Sequence, residues 1–502
     1  MSERLLLRGG TVVDGTGAAG FVADVLVADG RVAAVGERIA GEGAEVVDCR
    51  GLTVAPGFID AHSHSDLQVL EGRKEKLAQG VTAEVVGNCG FSAFPAGADR
   101  EGLHEFANGI FHGKGRDWGW QSAGEYLAEA AARGAGVESL VGHGTLRIAQ
   151  VGLAQGRVSE DDLRGMERRL GECLAEGAAG FSTGLMYAPG SSAPFEELER
   201  LCGVTARRGK VYASHIRSYF GGIVAAIEEQ LELARRTGCR LQISHLQIAG
   251  RRNWHLQEQV ITQIERAVAE GIDVAFDCYP YTAGSTVLTQ ILPQWALDGG
   301  VGALLERLGR ADERARIAEA TEAALEWSWE DVHIAAVRTE ANAAAVGRHL
   351  ADLAAERGCR AVDVVLDLLV EEQGEVNMLC FNQSEANLRA TLGHGLATII
   401  SDGFYVQGRP HPRLFGTFPH FLGHYVREHR LMTLEEGVRR MTGAVAERFG
   451  MKDRGVVAAG RRADLVVFDA AAIGSDADYE HPERPPRGIR RVVAGGRTAI
   501  AA

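Results

Sequence analysis

The 502-residue chain has no Cys-x-x-Cys pair and no disulfide framework; its eight cysteines stand singly at 49, 89, 173, 202, 239, 278, 359 and 380. In so long a chain that scatter is the pattern of reduced thiols, which excludes a small cross-linked scaffold. Basic runs are missing as well. Lys+Arg number 53 against 67 Asp+Glu, a formal net charge of −14. An acidic chain without a basic patch argues against nucleic acid or an anionic membrane as the main partner. Long apolar runs are also absent. The first ten residues offer only Leu5-Leu-Leu before charge and glycine return, which is not a signal-peptide core, and no run approaches membrane-spanning length. There is no internal repeat and no low-complexity segment. The expectation is a cytoplasmic protein that works on a small molecule, with no sequence signal for its oligomeric state.

What is present is an ordinary globular composition, 46% hydrophobic and 24% charged, long enough for two to four structural units. Residues 1–55 alternate in short β-like runs with Gly and Asp turns, among them Leu5-Leu-Leu, Thr11-Val-Val and Asp24-Val-Leu-Val. The far end has the same texture in Gly455-Val-Val-Ala-Ala-Gly, Ala463-Asp-Leu-Val-Val-Phe-Asp and Arg490-Arg-Val-Val. Two β-rich ends around a different middle predict one small sheet domain, residues 1–55 plus 450–502, built from both termini. The middle, 56–449, alternates apolar β-like runs with amphipathic helical stretches such as 222–237 and 255–270. Strand–helix order of that kind implies parallel strands, and its length suits a closed (β/α)₈ barrel of the α/β class. The stretch from about 290 to 350 breaks the rhythm and reads as an inserted helical unit.

The chemistry collects at the ends of the predicted strands. Gly57-Phe-Ile-Asp-Ala-His-Ser-His-Ser-Asp66 delivers His62 and His64. Residues two apart on a strand share a face, so the pair can meet one metal ion. The Glu84-Val-Val-Gly run leads to Cys89, Val211-Tyr-Ala-Ser to His215, Leu241-Gln-Ile-Ser to His245, and Thr398-Ile-Ile-Ser to Asp402. Each has an ordinary reading on its own: a buried inert thiol, a satisfied polar histidine, an Asp-Gly turn. Five strands ending this way in one barrel point together to a metal site, because catalytic residues in such barrels sit past the strands' carboxyl ends. Imidazole and thiolate suit zinc better than magnesium or calcium, with iron the poorer match. With Asp402 to carry a proton, the chemistry such a centre suits is hydrolysis of an amide or related C–N bond.

Nearly end to end, these motifs resemble the amidohydrolase superfamily, and within it the D-aminoacylase (N-acyl-D-amino-acid deacylase) branch. The resemblance rests on the His62-x-His64 segment, Gly87-Asn-Cys-Gly, Gly142-His-Gly-Thr-Leu-Arg147 and Gly180-Phe-Ser-Thr-Gly-Leu-Met-Tyr-Ala-Pro-Gly190. It continues through Ser214-His-Ile-Arg217, Ser244-His245, Tyr279-Pro-Tyr281 with Ser285, Ser401-Asp-Gly and His411-Pro-Arg. It implies a tight Zn²⁺ at Cys89, His215 and His245, a second, weaker divalent position at His62, His64 and Asp402, and Asp402 as acid/base. It implies that Tyr279 and Ser285 hold a substrate α-carboxylate, that the terminal sheets form a β-sandwich, and that the insert lids the pocket. The implied reaction converts an N-acyl-D-amino acid into a free D-amino acid and a carboxylate.

Two departures bear on the substrate. Relatives usually carry lysine two residues after the second single histidine, where it pairs with the substrate carboxylate, and here that position is Gln247. Arg251, four residues on, either compensates or is an ordinary surface arginine. The usual acidic residue four positions after the first single histidine is Tyr219. Gln247 therefore leaves open a cyclic amide or an uncharged N-acyl compound as substrate, and a non-catalytic barrel scaffold is the reading from a different class. Tyr187, beside Pro189-Gly190, either touches substrate or packs under a loop, and His143, His394 and His411 are further candidates to line or support the site.

Overall fold

The protein is described here by a computed structural model covering residues 4–111 and 117–501. The first three residues of the amino-terminal β-like region therefore lie outside the described residues. Eight short strands form the centre: β1 Phe58–Asp60, β2 Val81–Val86, β3 Val137–Gly142, β4 Gly180–Gly184, β5 Val211–His215, β6 Arg240–Ile243, β7 Val274–Cys278 and β8 Ala397–Ile399. Each pairs in parallel with the next in sequence. The two edges are joined past the strands' ends by a parallel bridge between Ser63 and Gly403. There the His64 N–H donates to the Gly403 carbonyl at 3.0 Å and the Asp402 N–H to the His62 carbonyl at 2.9 Å. The sheet is thus a closed barrel, and closure brings β1 and β8, nearly 340 residues apart in sequence, to one rim.

Covered by side chains within and by helices outside, these strands are buried on both faces, which is why Val-Thr-Ala-Glu-Val-Val in β2 is buried at all six positions. The outer helices carry their own start and stop signals. In Glu160–Ala175 the Ser159 hydroxyl accepts the Asp162 N–H, and three acidic residues fill the first turn. Ile223–Thr237 ends with two arginines in its last turn and Gly238 at φ +70°, a left-handed stop. Their apolar stripes, for example Met166, Leu170, Leu198, Leu201, Ile227 and Leu231, join the barrel's largest core cluster.

Both termini build a second, eight-stranded sheet. Leu5–Val12 is its hub: its first half pairs in parallel with Glu45–Asp48, its second half with Thr53–Pro56, and its other edge is antiparallel to Phe21–Ala28. Thr53–Pro56 then pairs with the carboxy-terminal Leu465–Phe468, which continues to Ile489–Ala494 and Arg497–Ala501. Leu5, Leu7, Val25, Val54, Leu465 and Val493 pack into one core there. The run Gly455-Val-Val-Ala-Ala-Gly, expected as a strand, is instead a loop, its backbone spent on single bonds to Asp14 and Val32.

Between β7 and β8 lies the insert, which reaches beyond the expected 290–350. Besides its helices it contains a three-stranded antiparallel sheet of Gly284–Val287, Asn377–Cys380 and Val332–Ala336. Its core is its own, centred on Leu288, Ile334, Val365 and Leu369. Its strands are only four or five residues long, too short to announce themselves in the sequence.

Candidate metal centre and active site

All six candidate ligands converge at the carboxyl end of the barrel and are buried, with exposures between 0 and 8%. They form two groups that share Cys89: His62, His64, Cys89 and Asp402, and Cys89, His215 and His245. The Nε2 atoms of His62 and His64 both lie 3.3 Å from Asp402 Oδ1. Cys89 Sγ is 3.2 Å from His62 Nε2 and 3.5 Å from His245 Nε2, and His215 Nδ1 is 3.0 Å from His245 Nε2. These separations are close to the ~3.3–3.8 Å edges of a tetrahedron with bonds of ~2.0–2.3 Å, the size that zinc with N and S ligands requires.

The backbone is bent to aim them. Cys89, His245 and Asp402 sit at φ +53°, +34° and +49°, three of the seven non-glycine residues at positive φ among the described residues. Such a conformation costs of order 1 kcal/mol or more and persists only where the surroundings impose it. Part of that imposition is visible at Gly184, where an added Cβ would lie 2.0 Å from the Cys89 carbonyl oxygen.

Electrostatics fit a bound cation. Burial holds His64, His215 and His245 down, His245 to about 4, so these rings are neutral lone-pair donors. His62 is buried too, yet Cys89, Asp402 and Asp277 outweigh that burial and raise it well above its ordinary value. Asp402 is pressed upward by burial but held well below the usual carboxylate range, chiefly by Arg413. It is therefore an ionised acceptor inside the fold.

Two residues that sequence reasoning passed over complete the centre. Asp277, in β7, accepts the His245 backbone N–H at 2.6 Å and the Gln242 side-chain amide at 2.9 Å, and its Oδ1 lies 3.5 Å from His62 Nδ1. It orients a ligand ring from behind. Its signal was a carboxylate inside an apolar strand, Val274-Ala-Phe-Asp. Arg413 Nη1 is 2.9 Å from Asp402 Oδ2 and its guanidinium lies 4.7 Å over the Tyr279 ring. His411 supports it by accepting the Arg413 backbone N–H at 3.0 Å. Below the ligands, Lys76, Asp60, Glu84, Arg73 and Ser401 form a buried polar network.

Above the ligands is a cavity of about 110 Å³, roofed by the insert through Ser285, Thr286, Trp327 and Met378. Tyr279, Ser285, Gln247 and Tyr187 all line it. The Tyr279 hydroxyl donates to Gln247 Oε1 at 2.5 Å and accepts from Gln383 Nε2 at 2.8 Å. The Tyr187 hydroxyl is 3.1 Å from Thr286 Oγ1. Tyr219 stands between two ligands, its ring 5.0 Å from those of both His215 and His245, and its hydroxyl donates to the Ser244 carbonyl at 3.0 Å. Arg251 is not brought to the cavity. It is exposed, its guanidinium 5.5 Å from the Trp254 ring, so it does not stand in for a lysine at position 247. His143 is buried behind the barrel on Glu197 at 2.7 Å, and His394 faces Glu265 at the outer surface at 3.3 Å.

The amidohydrolase family profile matches residues 45–500. The chain belongs to the amidohydrolase family. Among curated relatives it is 36% identical to an N-acyl-D-glutamate deacylase and 36% identical to a D-aminoacylase, both of Alcaligenes xylosoxydans xylosoxydans, covering 99% and 98% of this chain and 94% and 93% of theirs. Among solved structures, the N-acyl-D-glutamate deacylase of Bordetella bronchiseptica, complexed with zinc and a phosphonate mimic of the tetrahedral intermediate, superposes with a TM-score of 0.85 at 34% identity, over 99% of this chain and 96% of that one. A D-aminoacylase described as having a binuclear metal centre superposes at 0.83 with 34% identity, again over 99% and 96% of the two chains. As an amidohydrolase, the chain is a metal-dependent hydrolase of amide bonds built on a barrel with a separate sheet domain. Among the described residues no helix is long and apolar enough to cross a membrane.

Proposed function

We propose that this amidohydrolase is a zinc-dependent N-acyl-D-amino-acid deacylase that releases a free D-amino acid and a carboxylate. The observation that carries the reading is the pair of ligand groups joined through Cys89, set directly beneath a cavity that also holds Tyr279 and Gln247. Cys89, His215 and His245 are the residues that would hold the tight zinc, and His62, His64 and Asp402 the weaker second ion. Bound there, zinc supplies a Lewis acid that polarises the amide carbonyl and acidifies a water molecule.

The remaining work falls to the chain's own groups. Asp402, kept ionised by Arg413, takes the proton of the attacking water on a carboxylate oxygen and gives it to the amide nitrogen as the C–N bond breaks. Tyr279, Ser285 and Gln247 hold the substrate carboxylate with neutral hydrogen bonds, and Tyr187 closes the wall between His215 and the insert. D-selectivity is proposed from the relatives' activities. Among the described residues the one Lys or Arg lining the cavity is Arg413, and it is engaged by Asp402; this supports an uncharged side chain over the glutamate and aspartate that some relatives' names specify. A cyclic amide is not favoured, since hydantoinase structures share only the fold, at 15–16% identity. Reduced cysteines, one of them a ligand, fit a cytoplasmic setting.

The test is amine release by the zinc-loaded protein from matched panels of N-acyl-D- and N-acyl-L-amino acids. Turnover of the D series, with kcat lowered about 10³-fold or more in Asp402→Asn, is expected from the loss of an acid/base that acts in both halves of the reaction. No amine release from any member of the D panel ends the proposal.

A further inference from the structure

A second cavity, of about 70 Å³, adjoins the catalytic one between the barrel and the insert. Ile110, Tyr187 and Gln290 line both, so the two spaces are neighbours parted at Tyr187. Its walls are mostly apolar, with Phe91, Phe106, Leu153, Val287 and Leu297 prominent. Among the described residues the one charged side chain in its lining, Glu105, is spent: its Oε1 accepts the backbone N–H groups of Val301 and, at 3.3 Å, Gly302. An apolar chamber with its only charge satisfied is built for hydrocarbon.

Its place relative to the reacting groups says which part of a substrate would enter. Phe91 follows Cys89 by two residues; its ring lies 6.3 Å from that of His64, stacks on Phe106 at 4.2 Å and meets Tyr187 at 5.0 Å. Tyr187 in turn is 4.9 Å from His215. The second cavity is therefore one aromatic ring, Phe91 or Tyr187, away from the candidate metal ligands, beside which the scissile carbonyl must lie. The groups proposed to hold the carboxylate, Tyr279 and Gln247, do not line it. In an N-acyl amino acid the carboxylate and the side chain depart from the nitrogen side of the scissile bond, and the acyl chain alone departs from the carbonyl carbon.

Resting on the deacylase reading above, we propose that this chamber is the subsite for the acyl chain and that the preferred substrates carry linear acyl groups of about four to six carbons rather than acetyl. A space of about 70 Å³ accepts at least two methylene groups if each takes about the ~30 Å³ share of a liquid water molecule. Each buried methylene raises kcat/KM about fourfold.

The experiment measures kcat/KM for N-acetyl-, N-butanoyl-, N-hexanoyl- and N-decanoyl-D-leucine, and for a series of N-acetyl-D-amino acids with lengthening side chains. Both series are run on the wild type, Leu153→Trp, which fills the chamber, and Leu153→Ala, which enlarges it. The expected result is a rise of at least 10-fold from acetyl to hexanoyl, flattened by Leu153→Trp, with the optimum moved to longer chains in Leu153→Ala. Opposite shifts from two substitutions at one position cannot come from general loss of folding. A flat acyl series beside good N-acetyl turnover overturns the subsite and leaves the deacylase reading standing. A Leu153→Trp effect on the side-chain series alone assigns the chamber to the other arm and overturns the proposal. No turnover of any acyl length by the zinc-loaded wild type overturns both.

Discussion

Lys76 is the single residue whose removal should most disturb the platform under the metal centre. Its Nζ is fully buried, 2.6 Å from Asp60 Oδ2, 2.7 Å from Ser401 Oγ and 3.5 Å from Glu84 Oε2. Arg73 Nη1 closes the far side, 2.5 Å from Glu84 Oε1. Two cations thus balance two carboxylates in a buried site. Burial acts most strongly to discharge Lys76, but Asp60 and Glu84 together outweigh it and raise its pKa, so the lysine stays charged. Lys76→Met keeps the length and removes the charge, leaving Asp60 and Glu84 with Arg73 alone. Breaking a buried pair in this way costs about 3–5 kcal/mol, above the common range of about 0.5–3 for single substitutions. The loss should appear as an earlier first transition in urea, followed by circular dichroism at pH 7.5. In Lys76→Met/Asp60→Asn the charge is rebalanced, so the double variant should be about 2–3 kcal/mol more stable than the sum of the singles predicts. Because Asp60 precedes His62 by two residues and Ser401 adjoins Asp402, zinc content should fall in the single variant as well. A loss below about 1 kcal/mol, or strict additivity of the two substitutions, would refute the picture of a charge-balanced platform.

Three other outcomes are expected. Cys89→Ala should lose most of its bound zinc by atomic absorption along with its activity, since one thiolate serves both ligand groups; unchanged metal content would remove Cys89 from the ligand set. Gln247→Lys, restoring a charge-assisted bond worth about 1–2 kcal/mol, should lower KM for N-acyl-D-amino acids about 5- to 30-fold and widen the preference for the free acid over its methyl ester; an unchanged preference would mean the carboxylate is held elsewhere. On the acid side, burial presses Glu84 upward, but Lys76 and Arg73, with the Ser63 hydroxyl, hold it at about 2 against an ordinary 4.5. A depressed carboxylate contributes fully above pH 4.5 and loses its contribution as pH falls from there toward 2, here of order 3 kcal/mol. Unfolding midpoints should therefore fall steeply below pH 4.5 in the wild type and more gently in Glu84→Gln.

The chain by itself determined the barrel and the candidate ligands at its rim, because both are written in local pattern. Runs such as Val81–Val86 and Val211–His215 are buried at every position and mostly apolar, as strands covered on two faces are, and a candidate ligand stands at or within three residues of each strand's end: Cys89, His215, His245, Asp402. What only the tertiary structure decided are the partners drawn from distant segments. Arg413 reads as an ordinary arginine after a His-Pro pair, and becomes the counter-ion of Asp402 when its helix docks against the barrel's mouth. Asp277 reads as one acid in a strand, and proves to orient His62 across the barrel's interior. Lys76 lies in a charged segment, Arg73-Lys-Glu-Lys, that reads as solvent-facing; closure of β1 against β8 buries it among three strands. Arg251 shows the converse, a charge at a plausible sequence distance that folding leaves in solvent on Trp254. The insert was legible as a break in rhythm, but its sheet joins strands some 50 to 90 residues apart, each too short, at four or five residues, to carry a periodic signal. Strand burial and the residue next in line are local properties of a sequence; which charge neutralises which in a medium without water depends on three-dimensional closure.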